Sequence, residues 1–133
     1  SGKGMGISVI IVDVSLSINR AEMDNFEAHY NDILMAGQPD LLVVLYVTTE
    51  VVGVEEYGVT DYPVQLSCTE RGCTDMTAGL DYMLEHYPTA ESCIVLTDGY
   101  TPFGDPIDIP TMWAITTEGL EADWGETVYL EVE

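Results

Sequence analysis

Residues 7–17 read I-S-V-I-I-V-D-V-S-L-S. From Ile7 to Val14 nearly every side chain is apolar, and most are β-branched. That is the composition of a central strand covered on both faces; a strand with one wet face alternates instead. The run ends in oxygen-bearing side chains, Asp13, Ser15 and Ser17. A buried strand with a polar exit suits an open parallel sheet, in which ligands meet the carboxyl ends of the strands.

Outward from this strand, helical and strand-like segments alternate. A helix is predicted over 20–36, with Phe26, Tyr30, Ile33 and Leu34 on one stripe. Asn19 is placed to cap it, Glu22 and Asp24 suit its positive end, and Gly37 and Pro39 end it. Leu41–Thr48 (L-L-V-V-L-Y-V-T) reads as a second buried strand. Glu50–Val54 reads as a short antiparallel strand turning back along an edge. The stretch 57–69 is irregular, with a short strand near Val64–Leu66. A second helix is expected from Thr74 to about His86, with Met76, Leu80, Met83 and Leu84 as its apolar stripe. Ser92–Thr97 is another buried strand, 100–110 a loop, and Met112–Thr117 and Thr127–Val132 the last two strands. The expected fold is α/β, a Rossmann-like three-layer sandwich. Its mostly parallel central sheet of about six strands has helices on both faces and one antiparallel edge strand. Residues 1–6 are set aside as a lead-in segment or expression scar, and 7–133 as one domain.

Composition narrows the function. The chain has 133 residues, of which 47% are hydrophobic, enough for a core in a single domain. Against 24 Asp and Glu stand only Lys3, Arg20 and Arg71, for a net charge of −21. Such a chain cannot neutralise a run of phosphates, so nucleic acid is excluded as a direct partner. An anionic membrane surface is excluded on the same ground. Metal ions and basic proteins are attracted. No apolar run reaches the roughly 18 residues of a membrane span, and no leader peptide is visible, so the expected location is the cytoplasm. Three cysteines, Cys68, Cys73 and Cys93, do not make a disulfide framework. Cys93 reads as a core residue; Cys68 and Cys73 flank a turn and have the option of pairing.

Three polar clusters fall at equivalent places: Asp13, Ser15 and Ser17 after one strand, Thr74 with Asp75 before a helix, and Thr97-Asp98-Gly99 after another strand. All would converge at the carboxyl edge of the sheet. Asp13, Ser15, Ser17, Thr74 and Asp98 offer two carboxylates and three hydroxyls, a hard-oxygen set suited to Mg²⁺, with Mn²⁺ or Ca²⁺ as alternatives. Each cluster also has a plain reading, as a capping turn, an N-cap or a tight turn. In this order and on these elements, the clusters together point to a metal site.

The pattern D-x-S-x-S, then a Thr opening a helix, then T-D-G, resembles the metal-ion-dependent adhesion site of von Willebrand factor A domains. The segments V-I-I-V-D-V-S-L-S-I, G-C-T-D-M-T-A-G-L-D-Y, I-V-L-T-D-G-Y and M-W-A-I-T-T resemble one branch in particular. That branch is the VWA-like domain at the C-terminus of bacterial and phage proteins of unknown function, behind a metallopeptidase-like region. The resemblance implies that this chain is part of something longer. It also implies hydroxyl ligands from Ser15, Ser17 and Thr74. Asp13 and Asp98 would act directly or through a metal-bound water, and an open position would be filled by a carboxylate of a partner protein. Asp75 and Tyr100 would line the rim, with Leu16 and Cys73 beside the ligands; the Phe103 loop, T-P-F-G-D, is either part of that rim or a plain connecting loop. Leu16 and Cys73 stand where many members carry Gly, which narrows access.

Other chemistry is poorly supported. His29 and His86 belong to no H-E-x-x-H pair, and no G-x-S-x-G is present, so no catalytic residue is assigned. Gly2–Gly6 precedes the first strand and so cannot cradle a phosphate as a P-loop does. Trp113 and Trp124 read as packing residues. Three functional readings stand: a metal-dependent protein-binding module, a metal-assisted hydrolase or phosphoryl-transfer domain using Asp13 and Asp98, and an acidic decoy or DNA mimic with a vestigial metal site.

Overall fold

The structure is a computed structural model that describes residues 6–14, 23–24, 26–28, 30–31, 39–61 and 74–129. Six strands form one sheet: β1 (Ile7–Asp13), β2 (Leu41–Val47), β3 (Val51–Tyr57), β4 (Ser92–Thr97), β5 (Thr111–Ile115) and β6 (Glu126–Tyr129). Their spatial order is β3-β2-β1-β4-β5-β6. Every pairing is parallel except β2 with β3, so the expected antiparallel edge strand is present. A helix α1 accounts for each described position between 23 and 31, and α2 spans Thr77–His86.

Alternation along β1 explains why both faces are covered. Ile10 and Val12 point to one side, where they join Met23, Phe26 and Tyr30 of α1. Val9 and Ile11 point to the other, where they meet Leu80 and Met83 of α2. Each such aliphatic side chain withdrawn from water contributes roughly 1.5–3 kcal/mol. Because successive residues serve opposite cores, the strand cannot slip by one position without exchanging both sets. Gly79 seats α2 on the sheet: a Cβ there would lie 2.7 Å from Ile11 Cγ2 and 3.0 Å from Val47 Cγ2.

Several boundaries differ from expectation. The antiparallel edge strand runs to Tyr57 rather than stopping at Val54, and a 3₁₀ turn follows at Val59–Asp61. β1 ends at Asp13, β2 at Val47, β5 shifts to Thr111–Ile115, and β6 begins at Glu126. The larger correction is at α2. It begins at Thr77, not Thr74, and the residue before it, Met76, supplies no side-chain cap. Thr74 and Asp75 are instead engaged with the sheet, as described below. The flanks of the first helix, the strand expected near Val64–Leu66, and Cys68, Cys73 and His29 lie outside the described residues. Cys93 is buried in the core beneath α2, and that burial pushes its thiol well above the usual range. No helix among the described residues is long and apolar enough to cross a membrane.

Candidate metal centre

The strand order places a crevice between β1 and β4. From β1 the neighbouring chain goes to β2 on one side and to β4 on the other, which is the topological switch point of an open α/β sheet. Val12 pairs with Leu96, so the next residues, Asp13 and Thr97, end their strands side by side. Asp13 is 0% exposed. Its Oδ2 accepts a hydrogen bond from Thr97 Oγ1 at 2.9 Å, and its Oδ1 accepts one from Thr74 Oγ1 at 3.2 Å. Burying a carboxylate costs several kcal/mol unless donors or a cation compensate. Here two hydroxyls from distant parts of the chain supply donors.

This geometry bears on Thr74. A threonine hydroxyl has one proton and two acceptor lone pairs. The Thr74 proton is directed to Asp13. The three residues between the sheet and α2 are held accordingly. Asp75 N donates to Thr48 O at 2.7 Å, and Met76 N donates to Thr101 Oγ1 at 2.9 Å. Asp75 Oδ1 accepts from Thr77 N at 3.0 Å and also from the Thr77 hydroxyl, so Asp75 organises the first turn of α2.

Asp98 follows Thr97 and is half-buried, with its Oδ1 accepting from Tyr100 N at 2.9 Å. The turn passes through Gly99 at φ +91, and Gly99 N donates to Thr97 Oγ1 at 3.1 Å. A side chain at Gly99 would be strained by that φ and would collide with Leu120. Beyond the turn, Tyr100 is 69% exposed at the mouth of the crevice. Phe103 packs edge-on against Trp113 at 4.9 Å between centroids, and its carbonyl accepts from Trp124 Nε1 at 2.8 Å. Trp113 and Trp124 are themselves edge-to-face at 5.5 Å, so both tryptophans are packing residues as expected. The loop that carries Tyr100 and Phe103 is thereby tied to α2 through Thr101 and to the β5–β6 connection through Trp124.

Of the five residues expected to bind metal, the structure therefore brings Asp13 and Thr74 into direct contact and sets Asp98 on the adjoining turn. Ser15 and Ser17 lie outside the described residues, as do Leu16 and Cys73 of the expected rim. Among the described residues no group of three or more His, Cys, Asp and Glu side chains is placed to hold a metal ion. What is assembled is a carboxylate with hydroxyls, which fits a hard divalent cation better than zinc or copper. His86 takes no part: it stands at the opposite end of α2 from Thr74, its ring against Tyr82 at 4.1 Å. From sequence Thr97 was read only as part of the Thr97-Asp98-Gly99 cluster, without a role of its own, and Thr101 was not singled out. The available signal for Thr97 was a hydroxyl ending an apolar strand beside Asp98.

With the fold and this geometry in hand, comparison with known proteins is direct. The family model described as VWA-like domain (DUF2201) matches residues 8–131, and the chain belongs to that family. No curated protein matches it.

Proposed function

We propose that this VWA-like domain is a metal-ion-dependent protein-binding module. Asp13, Ser15, Ser17, Thr74 and Asp98 hold one divalent cation, Mg²⁺ in the first instance, in the manner of a metal-ion-dependent adhesion site. Its open coordination position takes a carboxylate of a partner protein, with Asp75, Tyr100 and the Phe103 loop at the rim. The observation that supports this most is the pair of contacts on Asp13. Thr74 donates to that buried carboxylate, so two of the proposed ligands already stand in contact. Asp13 itself carries the charge that a cation would neutralise.

Bound Mg²⁺ would supply a Lewis-acidic centre with exchangeable waters. The protein's own residues would orient those waters and admit one carboxylate. With a net charge of −21, the protein's field opposes an acidic partner, so attraction is confined to the few ångströms around the ion. A partner would accordingly combine the coordinating carboxylate with basic groups around it. The module is read as cytoplasmic and as one part of a longer protein.

Calorimetric titration of Mg²⁺ tests the site. One ion should bind the wild type, and Thr74→Val should bind at least about tenfold more weakly. Water-proton relaxation of the Mn²⁺-loaded protein tests the open position. Acetate or a Glu-containing peptide should displace a coordinated water and lower the enhancement, while the matching Gln peptide should not. Equal Mg²⁺ affinity in wild type and Thr74→Val would refute the reading.

A further inference from the structure

Thr97 is bonded on both sides. Its Oγ1 donates to Asp13 Oδ2 at 2.9 Å and accepts from Gly99 N at 3.1 Å. Thr97 is itself fully buried, as is Gly99. A hydroxyl has a single proton, so these two bonds fix its rotation: the proton faces Asp13 and a lone pair faces the Gly99 amide. The backbone of Thr97 is anchored as well, because its carbonyl accepts from Thr116 N at 3.0 Å, just past the end of β5. One side chain thus joins the end of β1 to the turn carrying Asp98, and its main chain joins both to β5.

We infer that Thr97 is the positioning residue of the site, holding the Asp13 carboxylate and the Asp98 turn in one fixed relation. The inference rests on the proposed metal site for its consequence, but the brace itself is made of protein atoms alone. Asp13 has a side chain with two rotatable torsions, and Thr74 engages only one of its oxygens. The Thr97 hydroxyl engages the other and so constrains the rotation of the carboxylate plane. The same hydroxyl holds the 97–99 turn tight, which ties the backbone carrying Asp98 to the end of β1. A hydrogen bond to a charged group is among the stronger kinds, and sites that bind by geometry lose steeply when ligands drift.

Substituting Thr97→Val keeps shape and β-branching while removing both the donor and the acceptor. Thr97→Ser keeps the hydroxyl and gives up a methyl group. Two readouts are taken on folded protein, checked by circular dichroism. The first is the hydrogen exchange rate of the Gly99 amide without metal. It should rise about tenfold or more in Thr97→Val relative to unaffected core amides of β1, and return toward the wild-type rate in Thr97→Ser. The second is Mg²⁺ affinity by calorimetry. It should fall at least about tenfold in Thr97→Val and recover in Thr97→Ser, whereas a merely structural threonine would leave it unmoved. Unchanged Gly99 exchange in Thr97→Val overturns the brace. Faster exchange with unchanged Mg²⁺ affinity overturns its positioning role. A wild type that binds no Mg²⁺ overturns the functional reading and with it the positioning role, while Gly99 exchange still decides whether the brace exists.

Discussion

Among the described residues, Glu55 and Asp13 each accept from two hydroxyls, and they sit in different parts of the sheet. Glu55, on the edge strand β3, accepts from Tyr46 at 2.6 Å and from Tyr57 at 2.8 Å, both on the same oxygen. Its donors are near neighbours, one on the paired strand β2 and one two residues along β3. Asp13, at the centre, accepts one hydroxyl on each oxygen, and its donors come from 61 and 84 residues away. The first arrangement ties two adjacent strands together. The second joins β1, β4 and the approach to α2 at the point where the sheet's topology reverses. Long-range convergence on a buried carboxylate is the feature on which the proposed site rests, and hydroxyl donors alone would not suggest one.

The largest expected difference lies in metal response. Asp13→Asn should abolish the stabilisation that Mg²⁺ gives, which for a single site is about 2.7 kcal/mol at a hundredfold excess over Kd. Glu55→Gln should leave that gain intact. Thermal melts with and without Mg²⁺ compare the two directly, and an equal loss in both variants would erase the distinction.

Gly79→Val sharpens the comparison from the other side, because it disturbs the seat of α2 without touching a carboxylate. Overpacking against Ile11 and Val47 should cost about 1–3 kcal/mol in urea denaturation. If α2 carries Thr74 toward Asp13, Mg²⁺ affinity should fall with it.

A smaller effect is expected at the edge itself. Glu55→Gln keeps an acceptor for Tyr46 and Tyr57 but removes the charge, and should cost on the order of 1 kcal/mol by the same denaturation measurement. Tyr57 also gives a pH signature. Burial, then its bond to Glu55, pushes its phenol up to about 12. A phenol whose folded pKa lies above its unfolded value near 10 stabilises the fold while protonated. That contribution is fully present below about pH 10 and is lost as the pH rises toward 12. Tyr57→Phe should therefore show a shallower alkaline decline in melting temperature than the wild type. Parallel declines would remove the Glu55–Tyr57 bond from the account.

The sheet was legible because its central strands are continuous β-branched runs, and an antiparallel edge was legible in the turn-back after Thr48. The start of α2 was not. Thr74 and Asp75 have the composition of a cap, but tertiary contacts to Asp13 and Thr48 outweigh local capping and delay the helix to Thr77. That Asp13 and Thr74 would stand near one another was legible because one ends a strand and the other leads into a helix at the same edge. Thr97 was passed over in favour of its neighbour Asp98. Its two partners are settled only when β1 and β4 pair, and nothing in local spacing announces a bond across 84 residues.

The most direct test of the metal site is the melting temperature as Mg²⁺ is raised, for the wild type and for Ser15→Ala combined with Thr74→Val. Any divalent ion screens a charge of −21 and raises both curves somewhat. A specific site adds a further, saturating gain to the wild type alone, and that is the predicted result. Equal rises in the two proteins would contradict the site and leave the acidic surface as the feature that responds to metal.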